Sequence, residues 1–165
     1  MRILWVSGRR MGSDLASSTE DSVCSHLSSN GYEVCLISPG KTTISNYLHI
    51  PIKDLRFPGI TSISGAIGAT KIIKEIGISE YDLILIDWRY VSTMRNLIRG
   101  FSKPWAIIDR GPPSNPGPLN KFQKWFWKKA WKVADETSIG GLVVSDKHGD
   151  FVKGLTGFSK ALFVL

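Results

Sequence analysis

The sequence predicts one three-layer α/β/α domain built on a mainly parallel sheet of about six or seven strands. Three observations carry that prediction. Short apolar runs without polar alternation recur along the chain, as strands buried on both faces require. Stretches of helical period separate them, and strands alternating with helices pair in parallel through right-handed crossovers. The chain has 165 residues, 42% of them apolar, which suffices for one sizeable core and is too little for two comfortable domains. A sheet of this kind is Rossmann-like, with ligands expected at the carboxyl ends of its strands.

Each element has its own justification. Ile3-Leu4-Trp5-Val6 is the first buried run. A flexible connection follows over residues 8–14, with glycines at Gly8 and Gly12. Ser17 with Glu20 three residues later has the spacing of a capping box at a helix start. Ala16, Val23 and Leu27 supply that helix's buried stripe, Asn30-Gly31 stops it, and residues 33–38 return as a strand, completing a βαβ unit. Residues 48–52 form a short strand that Pro51 assigns to an edge. A helix is expected over 61–77, weakened by Gly65 and Gly68. The run at 81–87 is the clearest strand, followed by a helix at 90–100 and a strand at 104–109. Residues 110–118 hold four prolines and form an ordered loop. A long helix from Leu119 to about Asp135, a strand at 139–145, a helix at 146–155 and a last strand at 160–165 complete the pattern.

Composition narrows the function classes. No apolar stretch reaches the roughly 20 residues of a spanning helix, and the run after Met1-Arg2 is too short for a signal peptide, so a cytoplasmic domain is expected. Cys24 and Cys35 lack a CxxC spacing and sit among apolar neighbours, as buried reduced thiols do. His26, His49 and His148 have no spacing that unites them with the cysteines as a metal site, so no metal is expected; places at the surface, or behind residues that line a site, fit them. Of the formal charge of +7, five charges fall on Lys121, Lys124, Lys128, Lys129 and Lys132, within twelve residues. The excess is therefore a local patch.

The carboxyl-end rule selects residues 8–14, Asp87-Trp88-Arg89, Asp109-Arg110-Gly111 and Ser145-Asp146 as the site rim. The first loop lacks the G-x-G-x-x-G of dinucleotide-binding domains, and the second strand ends in Ser38-Pro39-Gly40 without the acidic residue that holds a ribose. Gly40-Lys41-Thr42 lacks the earlier glycine of a P-loop and reads as a turn.

The phrases MRILWVS, NGYEVCLISP, YDLILIDW, PWAIIDRGPP and KKAWKVADETSIGGLVVSDKHGDFV, in that order and leading into ALFVL, cover the whole chain. In these phrases the chain resembles the N-terminal, acceptor-side half of a GT-B glycosyltransferase of the large retaining family 4. The resemblance implies transfer of a sugar from a nucleotide-sugar to an acceptor, including lipid-linked or polysaccharide precursors, in an interdomain cleft. It implies no cofactor beyond the nucleotide-sugar co-substrate. It also implies a C-terminal donor-binding domain, absent from these residues, or a partner subunit supplying one. Under it, the backbone N–H groups of Gly12 and Ser13 meet the donor phosphates, and Asp87, Asp109 and Arg110 meet sugar or acceptor hydroxyls. Two features depart from the family pattern: the adjacent glycine pair before the first helix is missing, and Arg110 stands where a histidine usually follows the fifth strand. Arginine is no base near neutral pH but neutralises phosphate or holds a carboxylate. Pairing of Arg110 with Asp109 or with loop carbonyls is the alternative. A stand-alone binding module for a nucleotide or phosphorylated ligand, or the acceptor subunit of a split glycosyltransferase, are the alternatives for the whole chain.

The long helix carries three of the six tryptophans. At 100° per residue, Leu119, Phe122, Phe126, Ala130 and Val133 form an apolar stripe expected to face the core, with Trp127 at its edge. Lys121, Lys124, Lys128 and Lys132 form the opposite stripe, flanked by Trp125 and Trp131. Lysines with interfacial tryptophans suit an anionic bilayer, and Phe57, in the Phe57-Pro58-Gly59 loop, offers a further contact for acceptor or lipid. A solvated basic face and a simple turn are the plain alternatives. Nucleic-acid binding is not expected, because no RNA-binding motif accompanies the helix.

Overall fold

The computed structural model describes residues 1–12, 15–42, 46–55, 57, 60–113 and 117–165, with the side chains of residues 15, 16 and 118 outside the description. Among the described residues, seven strands and five helices follow one another, alternating except for the consecutive strands β2 and β3: β1 (Arg2–Val6), α1 (Leu15–Ser29), β2 (Glu33–Pro39), β3 (Leu48–Ile52), α2 (Thr61–Ile76), β4 (Leu83–Asp87), α3 (Trp88–Ile98), β5 (Trp105–Asp109), α4 (Pro118–Thr137), β6 (Gly140–Val143), α5 (Asp146–Thr156) and β7 (Leu162–Val164). The strands form one sheet in the order β3-β2-β1-β4-β5-β6-β7, and every pairing is parallel. Pro51, which has no N–H to give a ladder, does sit on the edge strand β3.

The apolar runs feed two cores. Leu4, Val6, Cys35, Ile37, Ile84, Ile86, Trp105 and Ile107 face one side and meet side chains of α2, α3, α4 and α5. Ile3, Trp5, Val34, Leu36, Leu85, Ala106 and Ile108 face the other, where the helical members are Val23, Cys24 and Leu27 of α1. Cys24 and Cys35 are buried free thiols, as their neighbours implied. Burial raises the Cys24 thiol to about 12.

Two glycines explain features that read as weaknesses. A Cβ on Gly65 would lie 2.1 Å from the Tyr90 hydroxyl oxygen, so the glycine admits the tyrosine between α2 and α3. In β6, a Cβ on Gly141 would lie 2.8 Å from the Trp131 ring, and its absence lets that indole approach the sheet.

The capping-box expectation does not hold. Helix α1 begins at Leu15, two residues before Ser17, and Glu20 is turned inward rather than back toward the helix start. Among the described residues, side-chain caps are seen on α3, where Asp87 Oδ1 accepts from Arg89 N at 3.0 Å, and on α5, where Ser145 Oγ accepts from His148 N at 3.2 Å.

Candidate functional site: an arginine-lined cleft at the carboxyl edge

Strand β1 lies between β2 and β4, and its connection passes through α1 on one face while β4 connects through α3 on the other. Connections that part to opposite faces leave a crevice at the carboxyl ends of the two strands. A cleft of about 610 Å³ opens there. Gly8 and Arg9 line it after β1, Trp88 and Arg89 after β4, and the loop from Arg110 to Pro113 after β5. Ile63 of α2 and Leu119, Phe122 and Phe126 of α4 supply an apolar wall.

Three arginines therefore line one cavity from three different strand ends. No carboxylate or histidine joins them among the described lining residues. The carboxylates stand behind. Asp87 caps α3 and lies 3.7 Å from Arg89 Nε, holding that guanidinium at the cleft. Glu20 is 2% exposed; its Oε2 accepts from Ser7 Oγ at 2.6 Å, and its Oε1 lies 3.7 Å from Arg110 Nη2. Desolvation is the main cause raising the Glu20 carboxyl to about 7, against the Ser7 hydrogen bond, with the Asp87 charge adding to the rise and Arg110 and Arg9 opposing it.

Asp109 is fully buried. Its Oδ2 accepts from Trp127 Nε1 at 2.6 Å and Trp131 Nε1 at 2.9 Å, and its Oδ1 accepts from Gly111 N at 2.8 Å. His148 Nε2 lies 3.6 Å from the same Oδ2, with both ring nitrogens buried and lacking a hydrogen-bond partner. A carboxylate with no surface and two indole donors cannot meet a sugar hydroxyl, so the expected substrate contact at Asp109 is corrected. It anchors the turn that presents Arg110.

The aromatic helix is corrected in the same way. Trp131, expected at a surface flanking the lysines, is fully buried, as is Trp127, because both indoles reach Asp109 beneath the sheet's edge. Leu119 and Phe122, expected in the core, are exposed and line the cleft, and Trp125, outside that lining, is exposed as well. Lys121, Lys124 and Lys128 are exposed as expected, and Phe57 is exposed. Gly12 has φ +78 and packs against the Lys41 carbonyl, apart from the cleft lining. Ser13 and Asp14 lie outside the described residues, as do Pro58, Gly59 and 114–116 of the proline loop. Ser145 and Asp146 begin α5 and do not line the cleft.

Glu20 is the residue the sequence reading placed wrongly, and its signal was present. It stands one turn before Cys24 and two before Leu27, on the helix's buried stripe. A carboxylate in that stripe must find polar partners inside.

No protein-family model and no curated protein matches the sequence. Solved structures do match the fold. Sucrose-phosphate synthase from Thermosynechococcus elongatus superposes with a TM-score of 0.75 at 10% identity, over 99% of this chain and 47% of that one. The fold is that of one half of a GT-B glycosyltransferase. A UGT transferase from Siraitia grosvenorii in complex with UDP gives 0.63 at 11% identity, over 99% and 50% of the two chains. A Phytolacca americana UGT2 complexed with UDP-2fluoro-glucose and pterostilbene gives 0.66 at 9%, over 99% and 52%. The chain thus spans about half the length of the GT-B structures it matches. No helix among the described residues is long and apolar enough to cross a membrane.

Proposed function

We propose that this chain forms the acceptor-side half of a retaining glycosyltransferase whose donor-binding half is supplied by a second domain or subunit. The observation that carries the proposal is the arginine-lined cleft at the β1/β4 crevice of a sheet shared with one GT-B half. In this reading an acceptor hydroxyl oxygen, seated in the cleft, bonds the anomeric carbon as the bond from that carbon to the nucleotide diphosphate breaks. The hydroxyl proton leaves with the departing diphosphate, which fits a cleft whose described lining holds cations and no base. Arg110, backed by Glu20, and Arg89, backed by Asp87, orient the acceptor. The exposed backbone of Gly12, with the residue that follows it, is assigned to the donor phosphates, and the donor's base and sugar to the other half.

Two measurements test this division. UDP titrated into the 165-residue chain alone is expected to bind weakly, and tight binding would overturn the assignment. In the complete transferase carrying these residues, Arg89→Ala is expected to lower kcat/KM for the acceptor by on the order of 100-fold, the scale of a lost charge-assisted contact, with UDP affinity unchanged. Loss of UDP affinity in place of acceptor efficiency would put the donor in this cleft instead.

A further inference from the structure

Glu20 reaches two of the three cleft arginines from behind. Its Oε1 lies 3.7 Å from Nη2 of Arg110, just past the end of β5. Its Oε2 accepts from Ser7 Oγ at 2.6 Å, and the same serine oxygen accepts from Arg9 N at 3.0 Å, just past the end of β1. One carboxylate of α1 thus ties together the loops after β1 and β5, across the end of β4 that lies between them. At 2% exposure this is a demanding way to join two loops, because a neutral side chain would bridge them with no charge to desolvate. The charge has a use where it is given up. Charge-assisted hydrogen bonds run at about 2.7–2.9 Å, so at 3.7 Å the Arg110 guanidinium is attracted to Glu20 without being latched to it. The Arg110 side chain is also 15% exposed and lines the cleft, whereas the carboxylate has no path to it.

The groups around Glu20 set the direction of the effect. Arg9 and Arg110 favour its ionised form, Asp87 at the end of β4 opposes it, and Tyr90 of α3 and Cys24 of its own helix are neutral near pH 7 because burial raises both. With both arginines in place the carboxyl still titrates at about 7. Withdrawal of Arg110 leaves desolvation and the Asp87 charge opposed by Arg9 and the Ser7 hydrogen bond alone.

We propose that Glu20 is a positioning residue that couples the cleft to a proton: ionised, it holds Arg110 back, and when an anion in the cleft draws Arg110 forward the carboxylate takes up a proton from solvent. The inference deepens the acceptor-side reading, as a control on the same cleft, and rests on it for the ligand that Arg110 meets. The neutral acid keeps its hydrogen bond with Ser7, so the Arg9 loop stays in place while Arg110 moves. Binding and protonation are reciprocal, so an anion that promotes proton uptake binds more tightly at lower pH. At pH 8 the carboxylate competes with the ligand for Arg110, and at pH 6 the neutral acid does not.

Sulfate is the probe, because its charge is the same at both pH values. Titrated into the chain at fixed ionic strength and followed by tryptophan fluorescence, to which Trp88 of the cleft lining contributes, it is expected to bind ~10-fold more tightly at pH 6 than at pH 8. That factor corresponds to a rise of about one unit in the Glu20 titration when Arg110 leaves. In weakly buffered solution near pH 7 the unmodified chain should take up protons as sulfate binds, a readout that needs no variant to fold. Glu20→Gln should bind sulfate at both pH values as the parent does at pH 6, with no proton uptake. Arg110→Gln should weaken binding and flatten the pH response, whereas Arg89→Gln should weaken binding and keep the response. Equal affinity of the parent at the two pH values, a parent-like pH response in Glu20→Gln, proton uptake persisting in Arg110→Gln, or no sulfate binding at all would each overturn the proposal. If these tests fail while Arg89→Ala lowers kcat/KM for the acceptor in the complete transferase, the coupling alone is refuted and the acceptor-side reading stands.

Discussion

Replacing Glu20 with glutamine should make the protein more stable above neutral pH and leave it unchanged in acid. Glu20 is 2% exposed and its carboxyl is raised from 4.5 to about 7, chiefly by desolvation. Between those two values the folded protein keeps a proton that the unfolded chain has released. The group's contribution to stability is therefore fully present below about pH 4.5, declines as pH rises, and is lost above about pH 7. A gap of about 2.5 pH units at about 1.4 kcal/mol each amounts to about 3 kcal/mol. Glutamine stays neutral throughout, and its side-chain oxygen can still accept from the Ser7 hydroxyl 2.6 Å away. Urea unfolding of both proteins at pH 4 and pH 8 isolates the effect, because other groups that titrate, such as His49, whose pKa burial lowers, cancel in the difference. The curves should coincide at pH 4 and the variant should gain up to about 3 kcal/mol at pH 8, with equal m-values. A variant less stable than the parent at pH 8 would refute the reasoning, since the ion pair with Arg110 3.7 Å away would then outweigh the desolvation of the carboxylate.

Gly65→Ala places a methyl 2.1 Å from the Tyr90 hydroxyl and should cost about 2–3 kcal/mol in denaturant unfolding. Adding Tyr90→Phe should restore only part of it, because the ring carbon bearing the hydroxyl is itself 2.8 Å from the new methyl. Trp127→Phe removes the 2.6 Å donor to Asp109 and should cost about 2–3 kcal/mol by the same measurement, with a neutral result contradicting the anchoring role of that bond.

Most of the fold was legible because buried parallel strands leave unbroken apolar runs, as in β1, β2, β4 and β5. The edge position of β3 followed from a single atom, the missing N–H of Pro51. Helix phase was harder. An amphipathic stripe says which residues share a face, and it says nothing about what that face meets at each end of a long helix. α4 runs for 20 residues, about 30 Å, whereas the β5 strand beneath it has 5, about 17 Å. Its C-terminal half packs Trp127, Ala130, Trp131, Val133 and Ala134 against the sheet. The N-terminal half overshoots the carboxyl edge, so Leu119 and Phe122, on the same apolar stripe, become cleft wall. One stripe serves two purposes because the helix outlasts the sheet.

That overshoot also decides which charged residues can act. The strand-end rule selected Asp87, Asp109 and Arg110 together, but it ranks positions without regard to the direction of a side chain. Burial separates them. A short aspartate at the end of a strand ends close to the backbone, where the cap of α3 claims Asp87 and the two indoles of α4 claim Asp109. Arginine's longer stem carries its head past that layer, so Arg110 and Arg89 reach the cavity while their carboxylate partners remain behind them. A site assembled this way has its carboxylates as fixed supports and its guanidinium cations as the lining surface. It suits an anionic ligand, whose charge the guanidiniums meet directly, better than a neutral sugar that would need hydrogen-bond acceptors. The cationic lining of the cleft therefore follows from side-chain length at the strand ends as much as from the count of positive charges.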